Sequence, residues 1–436
     1  MNVAYLTAGA GGMFCGSCMR DNTLVSALTS LGLDAVLVPT YTPIRTDGDD
    51  VSIDQVFFGG INVYLQQKLP FLRWLPTWFD QFLNRPGLIR WATKGGMQTS
   101  PQQLGALAVS MLQGMEGRQR KEVRRLCDWL RREFDPDVVM LSNLLIGGCV
   151  PELKRRLDCR VYVTLQGDDI FLNDLIEPYK ARALAQLRKL VRHVDGFLVN
   201  SRYYANYMGE LLEIPADKLH VTPLGIDLRD APAPTWTQAG TNADAVARAA
   251  APTIGFLARL APEKGLHRLV DAFIHLRERH CPAARLKIAG WLGPQHRSYA
   301  EEQLARLDEA GLGDAYECVG EVDRQAKQEF LRSIDVLTVP TVYHEPKGLY
   351  VLEALASGVP VVQPSHGAFP ELLASTGGGL LVPPDDPAAL ASSLASLLND
   401  PDQRHALAVA GYESVVQRHS AEAMAEATWR IISAQR

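Results

Sequence analysis

Short apolar runs alternate with helix-length amphipathic stretches along this 436-residue chain, and the alternation stops once and then restarts. In the first block the strand-like runs are VAYLT from Val3, DAVLV from Asp34, VVMLSN from Val138, VYVTL from Val161 and GFLVNS from Gly196. Between the first two, Asp21 or Asn22 is positioned to cap a helix that carries Leu24, Leu28 and Leu31 on one face and ends at Gly32. Strands and helices in this alternation build a parallel, doubly wound sheet. The break is residues 231–252, APAPTWTQAGTNADAVARAAAP, rich in Ala, Pro and Thr and without a strand pattern. The second block then runs TIGFLARL from Thr253, RLKIAG from Arg285, AYECVG from Ala315, DVLTVP from Asp335, VPVVQP from Val359 and GLLVPP from Gly379.

The expected architecture is therefore α/β, with two Rossmann-like domains whose parallel sheets face a central cleft. Residues 1–230 form the first domain with an aromatic-rich insertion at 57–100, 231–252 the linker and 253–415 the second domain. Residues 416–436 form a helix expected to pack back towards the first domain. In such sheets ligands bind beyond the carboxyl ends of the strands. A formal charge of −5 argues against a general nucleic-acid surface. No apolar run reaches the roughly 18–20 residues that span a membrane. The start, MNVAYLTAGAGG, reads as a strand rather than a signal peptide, and seven scattered cysteines fit reduced thiols in a cytoplasm.

The richest chemistry lies in EPKGLYVLEALASG, residues 345–358. A strand over 335–340 and the loop TVYH deliver Glu345 to a sheet's carboxyl edge. Pro346 suits the first position of a helix, and the backbone N–H groups of Gly348 and Leu349 then form an anion site at its positive end. Glu353 lies about 7–8 Å further along the axis. In GFLARLAPEKG, Arg259 and Lys264 occupy the loop after the block's first strand, where a guanidinium fork and an ammonium can grip a diphosphate. Each feature taken singly also fits solvated loop charges or an exposed helix face.

Together these segments resemble the retaining family 4 glycosyltransferases of the GT-B fold. That family sets an Arg and a Lys in a loop such as LARLAPEKG, then E-x7-E followed by EA-x-A-x-G-x-PVV, which Glu345, Glu353 and EALASGVPVV match. The resemblance also takes in HGAFPEL from His366 and covers nearly all of the second domain. It implies an EC 2.4 hexosyltransferase that moves a sugar from a nucleoside diphosphate to a hydroxyl of a sugar, glycan, lipid or small metabolite. In it Glu345, Arg259 and Lys264 are the catalytic set, and Gly12, Gly348, Leu349 and Glu353 complete the donor site. Gly11, Gln166 and Asp168 stand on the acceptor side.

Two positions depart from the family pattern. Lys347 replaces the usual Phe before Gly348, and Gln166 replaces a His. An amide cannot act as a general base, so front-side attack assisted by the leaving phosphate is the implied route. Asp47-Gly48-Asp49, a D-x-D, is far from the donor motifs, and no metal or cofactor is expected. Cys15 and Cys18 form a C-x-x-C that leaves buried thiols, a redox pair or a metal site open. Tyr64, Phe71, Trp74, Trp78, Phe79 and Phe82 fit core packing, an acceptor platform, or a peripheral membrane or dimer contact through 61–91. A nucleotide-sugar epimerase or phosphorylase, or a non-catalytic nucleotide-sugar sensor, is the alternative on the same fold.

Overall fold

The computed structural model describes residues 1–9, 15–46, 48–58, 101–229, 234 and 251–434. The chain divides into two compact units, Met1–Pro223 with Ala421–Arg436, and Leu224–Ser420.

The first unit is built on strands β1 (Asn2–Thr7), β2 (Asp34–Pro39), β3 (Val138–Leu141), β4 (Arg160–Thr164), β5 (Gly196–Val199) and β6 (Leu219–Val221). They form one sheet in the order β2-β1-β3-β4-β5-β6, with every neighbouring pair parallel. Helices cover both faces, which is why VVML in β3 is wholly buried rather than alternating. Helix α1 (Gly16–Ser30) joins β1 to β2, with Leu24 and Leu28 fully buried. It begins earlier than the sequence suggests. Cys15 occupies the N-cap, so Asp21 and Asn22 lie buried inside the helix instead of capping it. Asp21 is drawn there by the hydroxyls of Tyr5 and Thr7, which donate to its two carboxylate oxygens. Two short stretches after β4 and β5 become α2 (Asp168–Asp174) and α3 (Arg202–Leu212).

The second unit repeats the plan with β7 (Thr253–Leu257), β8 (Arg285–Ala289), β9 (Tyr316–Gly320), β10 (Val336–Leu337), β11 (Val361–Pro364) and β12 (Gly379–Val382). Their order is β12-β11-β10-β7-β8-β9, again all parallel. The direction of winding reverses between β7 and β10. At such a switch point the two adjoining loops leave on opposite faces and open a crevice at the carboxyl edge. The helices that matter here are α4 (Leu266–Arg279), α5 (Arg324–Arg332), α6 (Leu349–Ala356) and α7 (Phe369–Thr376). Phe256, Phe273, Leu352 and Phe369 fill the core and are fully buried.

The ladder of β10 is shorter than the strand expected over 335–340, because only Val336 and Leu337 pair with β7 and only Leu337 with β11. Beyond them the chain bends into the loop that carries Glu345. Helix α6 also starts later than expected. Gly348, with φ of 78°, holds the N-cap, so Pro346 sits in the loop and Leu349 opens the helix. The last helix, α8 (Ala421–Ser433), belongs to the first unit, where Met424, Ala425 and Ile432 share a buried cluster with Leu24 and Leu28 of α1. Among the described residues no helix is long and apolar enough to cross a membrane. Phe57 is buried against Trp129, with ring centroids 5.1 Å apart. Residues 59–100, with Tyr64, Phe71, Trp74, Trp78, Phe79 and Phe82, lie outside the described residues.

Candidate functional site

In the second unit, the loops leaving β7 and β10 meet where the strand order reverses. Lys264, at the end of the β7 loop, places its Nζ 2.9 Å from Glu345 Oε2 and 2.7 Å from the Tyr343 hydroxyl. Only 12% of the lysine side chain and 4% of the glutamate side chain are exposed. The Tyr343 hydroxyl donates to the same carboxylate oxygen, and the Gly348 N–H reaches Oε1 at 3.4 Å. The ammonium also lies over the Tyr343 ring at 4.8 Å and the Tyr350 ring at 5.4 Å, an arrangement that favours a cation. Burial works to raise the Glu345 carboxyl, but Lys264, Tyr343 and Lys347 outweigh it and hold the group at about 2. The glutamate is thus ionised in a nearly dry position at the foot of α6.

The backbone fixes this arrangement. Gly265 has φ of 75°, and a Cβ added there would stand 1.8 Å from the Pro340 carbonyl oxygen. Only glycine lets the two loops approach so closely. The Val342 N–H donates to the Glu263 carbonyl at 3.0 Å, and the Ala368 N–H to the Glu345 carbonyl at 2.8 Å. The loops after β7, β10 and β11 are therefore tied together. His366, from the last of these, meets the Thr341 carbonyl through Nε2 at 2.8 Å and stacks on His344 with centroids 5.0 Å apart.

The remaining donor-side candidates lie around this centre. Gly348 and Leu349 stand at the start of α6. Glu353, one turn and more along the helix, pairs at 2.6 Å with Lys327 of α5, both side chains about 15–16% exposed. Arg259, more open at 37% exposure, pairs with Glu263 at 3.0 Å. Lys347 is half-buried next to Glu345. Tyr343, Tyr350 and Lys327 also belong to the site, beyond the residues that the motifs single out. A tyrosine two residues before the glutamate, in TVYHE, was the one available cue.

In the first unit, Gln166 and Asp168 follow β4. The Gln166 amide donates to Asp21 Oδ1 at 3.0 Å and to the Ser142 carbonyl at 2.9 Å, linking the ends of β3 and β4 to α1. Asp168 accepts from the Leu144 N–H at 2.8 Å and the Gln166 N–H at 3.2 Å. Burial pushes its carboxyl up to about 7 against those two hydrogen bonds. Below them Arg20 is fully buried and donates to the Tyr5 hydroxyl at 2.9 Å. Gly11, Gly12 and Asp47 lie outside the described residues. Among the described residues no group of three or more His, Cys, Asp or Glu is placed to hold a metal ion.

With this geometry in view, two family models match the chain. One, described as Glycosyl transferases group 1, covers 243–414, and the other, Glycosyltransferase Family 4, covers 107–230. The chain belongs to the family 4 glycosyltransferases. This family 4 chain is 31% identical over 256 residues to a D-inositol 3-phosphate glycosyltransferase of Xylanimonas cellulosilytica, covering 56% of this chain and 58% of that one. It is 28% identical over 308 residues to a glycogen synthase of Mycobacterium tuberculosis, covering 69% of each. It spans between 42% and 58% of the length of the first three curated relatives. Its fold is that of a sucrose-phosphate synthase from Thermosynechococcus elongatus, with a TM-score of 0.71, 19% identity and coverage of 100% and 99%. It is also that of Anabaena HepE, solved with UDP, with a TM-score of 0.69, 16% identity and full coverage of both chains. Two six-stranded parallel sheets flanked by helices are the GT-B plan that this family 4 chain shares with them.

Proposed function

We propose that this chain transfers a hexosyl group from a nucleoside diphosphate sugar to a hydroxyl-bearing acceptor in the cytoplasm, with retention of anomeric configuration and without metal or cofactor. The observation that carries this reading is the Lys264–Glu345 pair beside the start of α6, at the point where the second sheet reverses its winding. Glu345, held ionised, accepts hydrogen bonds from hydroxyls of the transferred sugar. Lys264 and Arg259, with the N–H groups of Gly348 and Leu349, face the diphosphate as it departs and gathers charge. One preorganised donor of this kind lowers a barrier by about 3–4 kcal/mol. Glu353 takes the ribose hydroxyls, steadied by Lys327. Solved neighbours of the same fold hold UDP and UDP-glucose, which supports this class of donor.

The acceptor side is assigned to the first unit, to Gly11 and Gly12, which follow β1 in the sequence, and to Gln166 and Asp168 after β4. Gln166 is an amide and takes no proton, so the departing phosphate oxygen accepts the proton of the incoming hydroxyl as the new bond forms on the same face. The test is proton NMR of the product formed from a panel of nucleoside diphosphate sugars and acceptors. Retained configuration, with nucleoside diphosphate released in step with acceptor consumed, supports the proposal. An inverted centre contradicts the mechanism. Release without any acceptor, or interconversion of the donor sugar, contradicts transfer itself.

A further inference from the structure

The helix that begins the first unit opens on two cysteines, and the function proposed above uses neither. Cys15 is the N-cap of α1 and Cys18 lies in its first turn, so the i, i+3 spacing puts both side chains on the same side of the helix start. The two thiols are in side-chain hydrogen-bond contact with each other, and Cys18 also touches the Thr7 hydroxyl. None of the seven cysteines is in a disulfide. Cys15 is half-buried, whereas Cys18 is 2% exposed. One thiol is therefore within reach of a small solute and its neighbour is shielded directly behind it.

Burial pushes the thiol of Cys149 up to about 12 and that of Cys159 up to about 11, and Cys18 is pushed well up by its hydrogen bond with Cys15 and by burial. Cys15 is less buried than any of these three and has Cys18 as its neighbouring thiol.

We propose that Cys15 and Cys18 form a reversible disulfide, a modification site at the start of α1, with hydrogen peroxide as oxidant. The Cys15 thiolate attacks the peroxide, the O–O bond breaks, and sulfur becomes a sulfenic acid as the first water leaves. The Cys18 thiol then attacks that sulfur. The S–S bond forms, the S–O bond breaks and the second water leaves, so two thiols are oxidised and one peroxide is reduced to two waters. A dithiol reductant reverses the reaction by exchange.

The consequence runs through named contacts. Cys18 touches Thr7, Thr7 donates to Asp21 Oδ2 at 3.1 Å, and Asp21 Oδ1 accepts from Gln166 at 3.0 Å. Drawing the Cys18 sulfur towards Cys15 removes it from Thr7 and loosens the support under the loop after β4.

The experiment uses the full chain, reduced and then treated with stoichiometric hydrogen peroxide. Trypsin releases residues 1–20, ending at Arg20, as one peptide that contains Cys15 and Cys18 and none of the other five cysteines. The proposal expects this peptide to lose about 2 Da, to resist alkylation and to recover both properties with dithiothreitol. Cys18→Ser abolishes the loss. Two alkylatable thiols after peroxide treatment overturn the proposal, as does irreversible addition of oxygen to either sulfur. Amide hydrogen exchange across residues 164–168 reads the link to Gln166. Faster exchange in the oxidised chain supports it, and identical exchange in the two forms overturns it.

Discussion

The ammonium of Lys264 and the carboxylate of Glu345 stand 2.9 Å apart, with 12% and 4% of their side chains exposed. Two opposite charges shielded this well are stable only together, because either one alone keeps the cost of leaving water without the attraction that offsets it. Lys264→Met is therefore expected to destabilise the second unit by about 3–5 kcal/mol. Urea unfolding without ligand measures this. The double variant Lys264→Met, Glu345→Gln recovers a large part of the loss, because no charge is then left unpaired.

Acidity acts on the same pair with a definite sign. Glu345 is held at about 2, below the roughly 4.3 of an unfolded glutamate. The stability it contributes is complete above about pH 4.3 and is lost as pH falls through 2. An acid titration of unfolding should show this loss in the wild type and not in Glu345→Gln.

Asp168 has the opposite sign. Its folded carboxyl lies at about 7, above the roughly 3.9 of an unfolded aspartate. The folded state holds the proton more tightly, so this group makes stability fall as pH rises from about 4 to 7, by at most about 1.4 kcal/mol per unit. Unfolding of Asp168→Asn across that window should be flatter than the wild type.

Gly265 separates backbone fit from side-chain chemistry. Alanine there would carry a Cβ 1.8 Å from the Pro340 carbonyl at a φ of 75°. Gly265→Ala should cost at least about 1–3 kcal/mol and weaken nucleotide binding, since the β7 and β10 loops must move apart. Calorimetry of unfolding and of UDP binding checks both.

Much of this organisation can be read from the chain itself, for reasons that vary with the element. Buried strands such as VVML and helices with regular apolar spacing announce themselves because their periodicity is set by the layer they enter. Lys264 and Glu345 stood out as residue types in telling loops. Their pairing did not, because it depends on a switch point that appears only when β7 and β10 become neighbours. Tyr343 is not legible in the sequence, because a loop tyrosine has no periodic signature. Asp21 looked like a helix cap, the usual role of an aspartate ahead of an apolar face, and tertiary hydrogen bonds from Tyr5 and Thr7 claimed it instead. Likewise Pro346 suits the first position of a helix, but Gly348 with its left-handed backbone sets the start of α6 three residues later, at Leu349.

The central claim is that the Lys264–Glu345 site receives the diphosphate of a nucleotide donor. Isothermal titration of UDP, GDP and ADP into the wild-type chain and into Lys264→Ala tests it most directly. One of the three should bind the wild type saturably, and a folded Lys264→Ala should bind it at least about tenfold more weakly, the loss of one charge-assisted hydrogen bond. Equal affinity in the two proteins, or no binding of any nucleotide to the wild type, would contradict the account.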